Sequence, residues 1–331
     1  MTESSVSPIT PPPSVTGGSA RPGARIQASP VGDRVYRSVT TAMALVVPIL
    51  LVLIAWVIFK AGWPAIRAFG LGFFTDSGWD AVNGHFGAAP AVFGTVVSSI
   101  LALVIATPLA VGVAIFLSEF APSWLRQPVA FFVDLLAAIP SVVYGLWGIL
   151  VLVPAIRTYF MPFVKDTLHL GDFPLFSGPA YGPSMFSAGV ILAIMVLPYI
   201  SAVTREVLMA VPRSQREAAL ALGATRWEMI WDAVLPYARS GIIGGIILGL
   251  GRALGETMAV TMVIGNRHEI SASLFQPGYT MASLIANEFS EATSELHTAS
   301  LMAVGAGLFV ITIIVNAIAR WLVWRTARVG A

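Results

Sequence analysis

The chain has 331 residues, of which 56% are hydrophobic and only 11% are charged, with a formal net charge of +2. Soluble domains carry about 25% charged residues, so this composition indicates an all-α membrane protein whose long uncharged runs cross the bilayer as helices. The absence of cysteine excludes a disulfide framework and a thiolate metal site. The 19 basic residues form no dense patch, which argues against nucleic acid as a partner.

Residues 1–34 are predicted to be a disordered tail. The first thirty residues contain six prolines and three glycines, and they have too little apolar surface to offset the entropy of ordering. The apolar run that follows, residues 38–59, is 22 residues long, whereas the apolar core of a signal peptide has about 7 to 15. We therefore expect this run to be a retained membrane-spanning helix.

Six apolar stretches are long enough to span a bilayer. They are residues 38–59, 91–117, 129–156, 185–203, 237–264 and 298–321. Proline and glycine residues between Phe173 and Ser184 predict a loop before the fourth span. The sequence thus predicts a polytopic protein with six transmembrane helices, in which residues 35–331 form the membrane domain and contact lipid.

The basic residues are distributed unevenly between the two sides of the predicted bilayer. With the N-terminus inside, 13 of the 19 lie on the cytoplasmic side and 5 lie outside. The positive-inside rule therefore predicts that both termini are cytoplasmic. The long connections 60–90, 157–184 and 265–297 then face outward.

The histidines all fall in these outer connections. They are His85, His169, His268 and His297. Their spacing does not match a metal site, and we expect them to be solvated. Glu288, Glu291 and Glu295 follow a helical spacing, which predicts a short outer helix before the last span.

The connection between spans four and five, residues 205–239, is the largest on the cytoplasmic side. Pro212 suits the start of a helix, and Gly223 is placed to end that helix in a left-handed cap. An amphipathic stretch around Trp227 and Trp231 is expected to follow along the membrane surface. The connection thus predicts a projecting helix–turn–helix, which is either held by a partner protein or is an ordinary interfacial helix.

Six residues of this connection resemble the EAA loop of ABC importer permeases. They are Glu217, Ala218, Ala219, Gly223, Leu235 and Pro236. In that family the loop is the coupling helix, which lies in a groove of the ATPase subunit, and the resemblance implies the type I ABC importer permease fold. Two positions depart from the family pattern: Leu222 stands where many members have Asp, and Ala233 where many have Ile.

Four longer segments are similar to the C-type permease subunits of phosphate-specific ABC importers. They are FFTDSGWDA (73–81), LLAAIPSVVYGLWG (135–148), TREVLMAVPRSQREAALALGATRWE (204–228) and GLGRALGETMAVTMVIGN (249–266). The resemblance implies a non-enzymatic subunit that imports inorganic phosphate across the bacterial cytoplasmic membrane. It also implies three partners: a related A-type permease, an ATPase dimer that uses ATP and Mg, and an external phosphate-binding protein.

The chain itself is expected to bind no cofactor. Its only lysines are Lys60 and Lys165, and neither belongs to a Gly-Lys-Ser/Thr phosphate-binding loop. ATP must therefore be handled by another subunit.

Arg252 and Glu256 lie within the fifth predicted span. A charge at that depth costs about 2.5 to 3.5 kcal/mol unless it is paired or hydrated. The i,i+4 spacing predicts an ion pair on one helix face. Because a guanidinium donates parallel hydrogen bonds to two phosphate oxygens, we interpret the pair as part of the substrate pathway. The alternative is a structural ion pair that locks the fifth span to its neighbours.

Asp134 is a further candidate for the pathway. It lies early in the third predicted span, near the inner interface, where it either pairs with a loop arginine or joins the pathway. For the whole chain, two other transport functions stay open. One is an ABC permease for molybdate or sulfate, and the other is a secondary carrier, which would leave the large cytoplasmic connection without a function.

Overall fold

The computed structural model describes residues 30–328. By its contacts the chain divides into two units, Met1–Leu53 and Ile54–Ala331. The described part of the first unit is helical. Most of the predicted tail, residues 1–29, lies outside the described residues, and the first helix begins at Pro30, ahead of the predicted boundary at residue 34.

The described residues are mainly helical. The α-helices in chain order are α1 Pro30–Phe69, α2 Ala89–Ile115, α3 Ser123–Ala138, α4 Ser141–Trp147, α5 Val153–Ala155, α6 Met185–Met209, α7 Arg213–Ala221, α8 Arg226–Met229, α9 Leu235–Leu254, α10 Met258–Val263, α11 Met281–Glu288 and α12 Glu295–Arg328. Strands β1 (Trp79–Asp80) and β2 (His85–Phe86) form an antiparallel hairpin, with Trp79 opposite Phe86. Turns with π-helical hydrogen bonding cover Phe116–Phe120, Gly148–Leu152, Ile156–Phe160, Phe163–Thr167 and Ile230–Val234.

Six helical stretches of residues 30–328 are long and apolar enough to cross a membrane, which confirms the predicted number. They are Gly32–Phe74, Ala89–Phe120, Ser141–Thr167, Met185–Met209, Arg226–Leu254 and Glu295–Arg325. We call them spans one to six. The end of the membrane domain that carries α7 is called the α7 end, and the end that carries the β1–β2 hairpin is called the hairpin end.

The third and fifth predicted spans have the wrong boundaries. Residues 123–138 form the separate helix α3, because Pro140 disfavours helical backbone at Ile139, which is extended. Span three therefore begins at Ser141, not at residue 129. Span five begins at Arg226 and ends at Leu254, so Trp227 lies on an extension of this span and not on a separate helix along the membrane surface.

Helix α2 packs against α6 through small residues. Buried small residues recur every fourth position along α2, namely Gly94, Ser98, Ala102, Ala106, Ala110 and Ala114. Without large side chains the two backbones approach closely, and in a membrane this close van der Waals packing, rather than a hydrophobic driving force, holds helices together. Ile191, Leu192 and Ile200 of α6 are fully buried in the resulting core.

The hairpin end has a core of aromatic and imidazole rings. The indole of Trp79 donates to Glu288 at 3.1 Å, and the Nε2 of His297 lies 3.1 Å from the same carboxylate oxygen. The imidazole of His268 stacks on Trp79 with ring centroids 5.2 Å apart. The prediction that the outer histidines are solvated is therefore wrong for His268 and His297, whose side chains are 19% and 5% exposed.

A short outer helix, α11, precedes the last span as predicted, but it does not run through the three glutamates. Helix α11 ends at Glu288, Glu291 lies in a turn, and Glu295 begins α12. The spacing of the three glutamates therefore does not correspond to a single helix.

Candidate functional site

Arg252 and Glu256 meet where span five ends. Arg252 lies in the last turn of α9, and Gly255 follows the helix. The guanidinium Nη1 donates to Glu256 Oε2, which confirms the predicted ion pair. The i,i+4 spacing predicted that the two residues share one continuous helix. They do not, because α9 ends at Leu254 and the chain turns before α10.

Glu256 has a second contact that links it to the next helix. Its Oε1 accepts a hydrogen bond from the backbone N–H of Ala259, in the first turn of α10, at 3.2 Å. The carboxylate therefore joins the C-terminal turn of α9 to the N-terminal turn of α10, where a negative charge is favourable. Its side chain is 3% exposed, whereas that of Arg252 is 34% exposed. The arginine, and not the glutamate, is accessible to a ligand.

Arg252 lines a cleft of about 880 Å³ between α6, α9 and α12. A second arginine, Arg320 of α12, lines the same cleft, as do Tyr199 and Asn316. The charged groups among these lining residues are thus both guanidiniums. Such a cleft attracts anions and repels cations.

Glycines form part of the cleft wall. Gly244 and Gly251 lie on the cleft side of α9, and a Cβ placed on either would meet no other atom within 4 Å. Gly245 and Gly249 lie on the opposite side, where an added Cβ would approach Val203 at 3.3 Å and Ile200 at 2.8 Å. The glycines of α9 therefore have two different functions: some permit close packing on α6, and others keep the cleft open.

Asp134 does not lie in this cleft. Its carboxylate is 3.6 Å from the guanidinium of Arg205. The sequence left open a pairing with a loop arginine, but Arg205 lies in α6, near its C-terminal end, and not in a loop. Its place in the substrate pathway stays a prediction that the structure does not test.

The predicted coupling residues lie together at the α7 end. Helix α7 carries Glu217, Ala218 and Ala219, of which the first two are exposed and Ala219 packs against the core beneath. Leu235 also packs against that core, and Pro236 is exposed near the start of α9. The EAA-like pattern thus combines two anchoring residues, Ala219 and Leu235, with an exposed surface.

Gly223 makes the turn after α7. Its φ of +89° lies in the left-handed region, which confirms the predicted cap. The next helix begins with a capping box, in which Thr225 Oγ1 accepts from the Glu228 N–H and Glu228 accepts from the Thr225 N–H at 2.7 Å. Leu222, 90% exposed, and Trp227, 58% exposed, flank this turn. The turn therefore presents a fixed apolar surface.

The sequence reasoning missed the contact that anchors α7. Arg216 donates to Glu119, at the end of span two, at 2.8 Å, and also to the backbone oxygens of Val211 and Leu208. The side chains of Arg216 and Glu119 are only 19% and 10% exposed. The two residues are 97 positions apart, so no local pattern signals the pairing.

Known proteins resemble the chain over most of its length. A family model described as binding-protein-dependent transport system inner membrane component matches residues 106–328. The phosphate transport system permease protein PstC of Mesorhizobium japonicum is 47% identical over 302 residues, covering 90% of this chain and 92% of that protein. The corresponding protein of Xylella fastidiosa strain 9a5c is 46% identical, covering 93% and 95%. PstC 2 of Mycobacterium tuberculosis is 42% identical, covering 87% and 91%.

The chain belongs to this family of binding-protein-dependent inner membrane components, as one of its PstC permeases. It is a permease subunit of an ABC transporter and is not itself the catalytic subunit. A chain of the MetNI methionine ABC transporter, solved in inward-facing conformations, has a TM-score of 0.53 and 15% identity, covering 72% of this chain and 95% of that one. This likeness supports the type I permease fold.

Proposed function

We propose that this permease carries inorganic phosphate inward across the cytoplasmic membrane. The names of the relatives support phosphate as the substrate, since each is called a phosphate transport system permease. The observation that carries the proposal is the Arg252 side chain, which lies in an apolar span, is 34% exposed and lines a cleft of about 880 Å³. Molybdate or sulfate is the alternative substrate, because a guanidinium also binds these oxyanions.

Arg252 is proposed to bind the anion and Glu256 to hold the empty site. Without substrate, Glu256 neutralises the arginine and lowers the cost of the buried charge. When phosphate enters, its oxygens replace the glutamate oxygen as acceptors from the guanidinium, since arginine binds two oxygens in parallel. Glu256 then keeps its hydrogen bond to Ala259. Arg320 offers the next positive charge along the same cleft.

Transport requires energy from another subunit. We propose that α7 and the turn at Gly223 bind the ATPase dimer, which uses ATP and Mg, through the exposed surface of Leu222 and Trp227. An A-type permease is proposed as the second half of the pore, and an external phosphate-binding protein as the donor at the hairpin end. The excess of arginines at the α7 end supports cytoplasmic termini.

The substrate is tested by uptake into vesicles that contain the permease with its partners. Radiolabelled phosphate uptake should require ATP, saturate with phosphate, and be unaffected by a tenfold excess of sulfate or molybdate. Equal competition by either oxyanion would contradict phosphate as the specific substrate, while the ABC permease assignment would stand.

The function of Arg252 is tested by a neutral double variant. Arg252→Met alone should destabilise the protein, because it leaves Glu256 buried without its partner. Adding Glu256→Gln should restore thermal stability but not phosphate uptake. A matched control is the half-exposed pair Arg267 and Glu269 at the hairpin end, whose neutral double variant should retain both properties. Recovery of uptake in the Arg252 and Glu256 double variant would show a purely structural pair.

A further inference from the structure

A second basic pocket lies at the α7 end, between α3 and the end of α6. Its volume is about 350 Å³, and its lining includes Arg126, Asp134, Arg205 and Met209. None of these residues lines the cleft of Arg252. The pocket is therefore separate from the cleft of Arg252.

The charge balance of this pocket favours an anion. Two guanidiniums, those of Arg126 and Arg205, face one carboxylate, that of Asp134. The ion pair between Arg205 and Asp134 is 3.6 Å long, whereas charge-assisted hydrogen bonds between such groups are about 2.7 to 2.9 Å. The carboxylate thus leaves donors of Arg205 unused.

The hydrogen bonding of the two arginines also favours an anionic ligand. Arg205 Nε is buried and has no hydrogen-bond partner among the described residues, and a buried unsatisfied donor is destabilising. Arg126 is held in place through one nitrogen, Nη2, which donates to the backbone oxygens of Ser118 and Ala121 at 3.3 Å each. A ligand in the pocket with several acceptor oxygens would accept hydrogen bonds from the exposed guanidinium nitrogens of Arg126 and Arg205.

Helix α3 presents an apolar face next to the pocket. At 100° per residue, Trp124, Phe131 and Leu135 fall within about 40° of one another, and all three are exposed. Phe131 also lines the pocket. An exposed stripe with a tryptophan, beside a polar edge, is typical of a helix that lies in the headgroup region of a bilayer.

We propose that the pocket binds the phosphate group of an anionic phospholipid from the leaflet at the α7 end. Arg126 and Arg205 would donate to the phosphodiester oxygens, and the acyl chains would lie against Phe131 and Leu135. Basic pockets between membrane helices bind lipid headgroups in this way. A free phosphate ion offers the same oxygens but has no chains to cover the apolar face, which is why the lipid is favoured.

The proposal is tested with the full-length chain in neutral maltoside micelles. The probes are short-chain dioctanoyl phosphatidylglycerol, dioctanoyl phosphatidylcholine and inorganic phosphate, and the readout is the rise in unfolding temperature with ligand concentration. This increment gives the apparent Kd of each variant against its own ligand-free baseline, so a less stable variant is still informative. Phosphatidylglycerol should bind about tenfold more tightly than phosphatidylcholine, and inorganic phosphate should not compete with it.

Two substitutions should change the affinity for phosphatidylglycerol in opposite directions. Arg205→Gln should weaken binding about tenfold, which corresponds to 1.4 kcal/mol. Asp134→Asn should tighten it about threefold, the scale of an exposed charge pair, because it removes the competing carboxylate. Arg37→Gln is the matched control, since it removes an exposed arginine near the start of span one and should leave the affinity unchanged.

Each contrary result overturns a stated part of the proposal. Equal binding of the two lipids, or equal weakening by Arg37→Gln, would mean that no specific headgroup site exists. Competition by inorganic phosphate would make the pocket a site for the free ion. Weaker binding in Asp134→Asn would show that the carboxylate maintains the pocket and does not compete with the ligand.

Discussion

The ion pair between Arg216 and Glu119 gives a quantitative test of how α7 is held. Arg216→Met removes the partner of a glutamate that is 10% exposed and also the donor to the Val211 and Leu208 oxygens. Removing one member of a buried pair costs about 3 to 5 kcal/mol. Adding Glu119→Leu removes the stranded charge, and replacing a buried pair by apolar residues is often close to neutral. The double variant should therefore recover most of the lost free energy of unfolding.

Stability and transport should separate in that double variant. The free energy of unfolding is measured by denaturant titration in mixed micelles, and phosphate uptake by vesicles that contain the partner subunits. The double variant should unfold nearly like the wild type but transport less, because α7 has lost its tie to span two. Arg213→Met, which changes an exposed arginine of the same helix, should stay within about 0.5 kcal/mol of the wild type. A loss from Arg216→Met no larger than that of this control would refute the argument.

Three further outcomes are expected. Gly223→Val should cost about 1 to 2 kcal/mol, because valine is strained in the left-handed backbone conformation of this residue. Phosphate uptake should be abolished while membrane insertion persists. Normal uptake would exclude the turn from coupling to the ATPase. Gly251→Ala should raise thermal stability by roughly 0.5 to 1 kcal/mol, because the added methyl group displaces no neighbour. Gly249→Ala should lower thermal stability, because the added methyl group meets Ile200. Equal effects of the two substitutions would contradict the two-sided packing of α9. Burial lowers the pKa of His268 below its ordinary value of 6.5, although the charge of Glu288 opposes this shift. The neutral imidazole therefore contributes to folding stability above about pH 6.5. This contribution is lost as the pH falls and the unfolded state takes up the proton. His268→Gln should flatten this decline in thermal scans, and an unchanged profile would assign it to other groups.

Local features of the sequence predicted the membrane architecture. Apolar runs longer than a bilayer is thick predicted the six spans, since lipid accepts a backbone only when its hydrogen bonds are satisfied within the helix. Gly223 and Pro212 predicted the projecting turn, because their effects on backbone conformation are local. The i,i+4 spacing of Arg252 and Glu256 predicted their pairing, which the structure shows across a helix end.

Contacts between distant segments were decided only by the tertiary structure. Hydropathy merges α3 with span three, since the break at Ile139 and Pro140 interrupts the helix without changing the polarity of the sequence. Asp134 and Arg205 lie on different helices, and the side of α9 that faces the cleft depends on where α6 and α12 pack.

The same reason explains the errors at the hairpin end. Composition alone places His268 and Glu288 on the solvated outer side, yet Trp79, which comes from another connection, contacts and partly covers both. Burial is a property of what packs around a residue, so the sequence around a histidine cannot supply it.

The sequence by itself determined which segments enter the membrane and where the chain turns, because these depend on local transfer and backbone energies. The tertiary structure decided which charges meet, because that depends on packing between helices far apart in the chain.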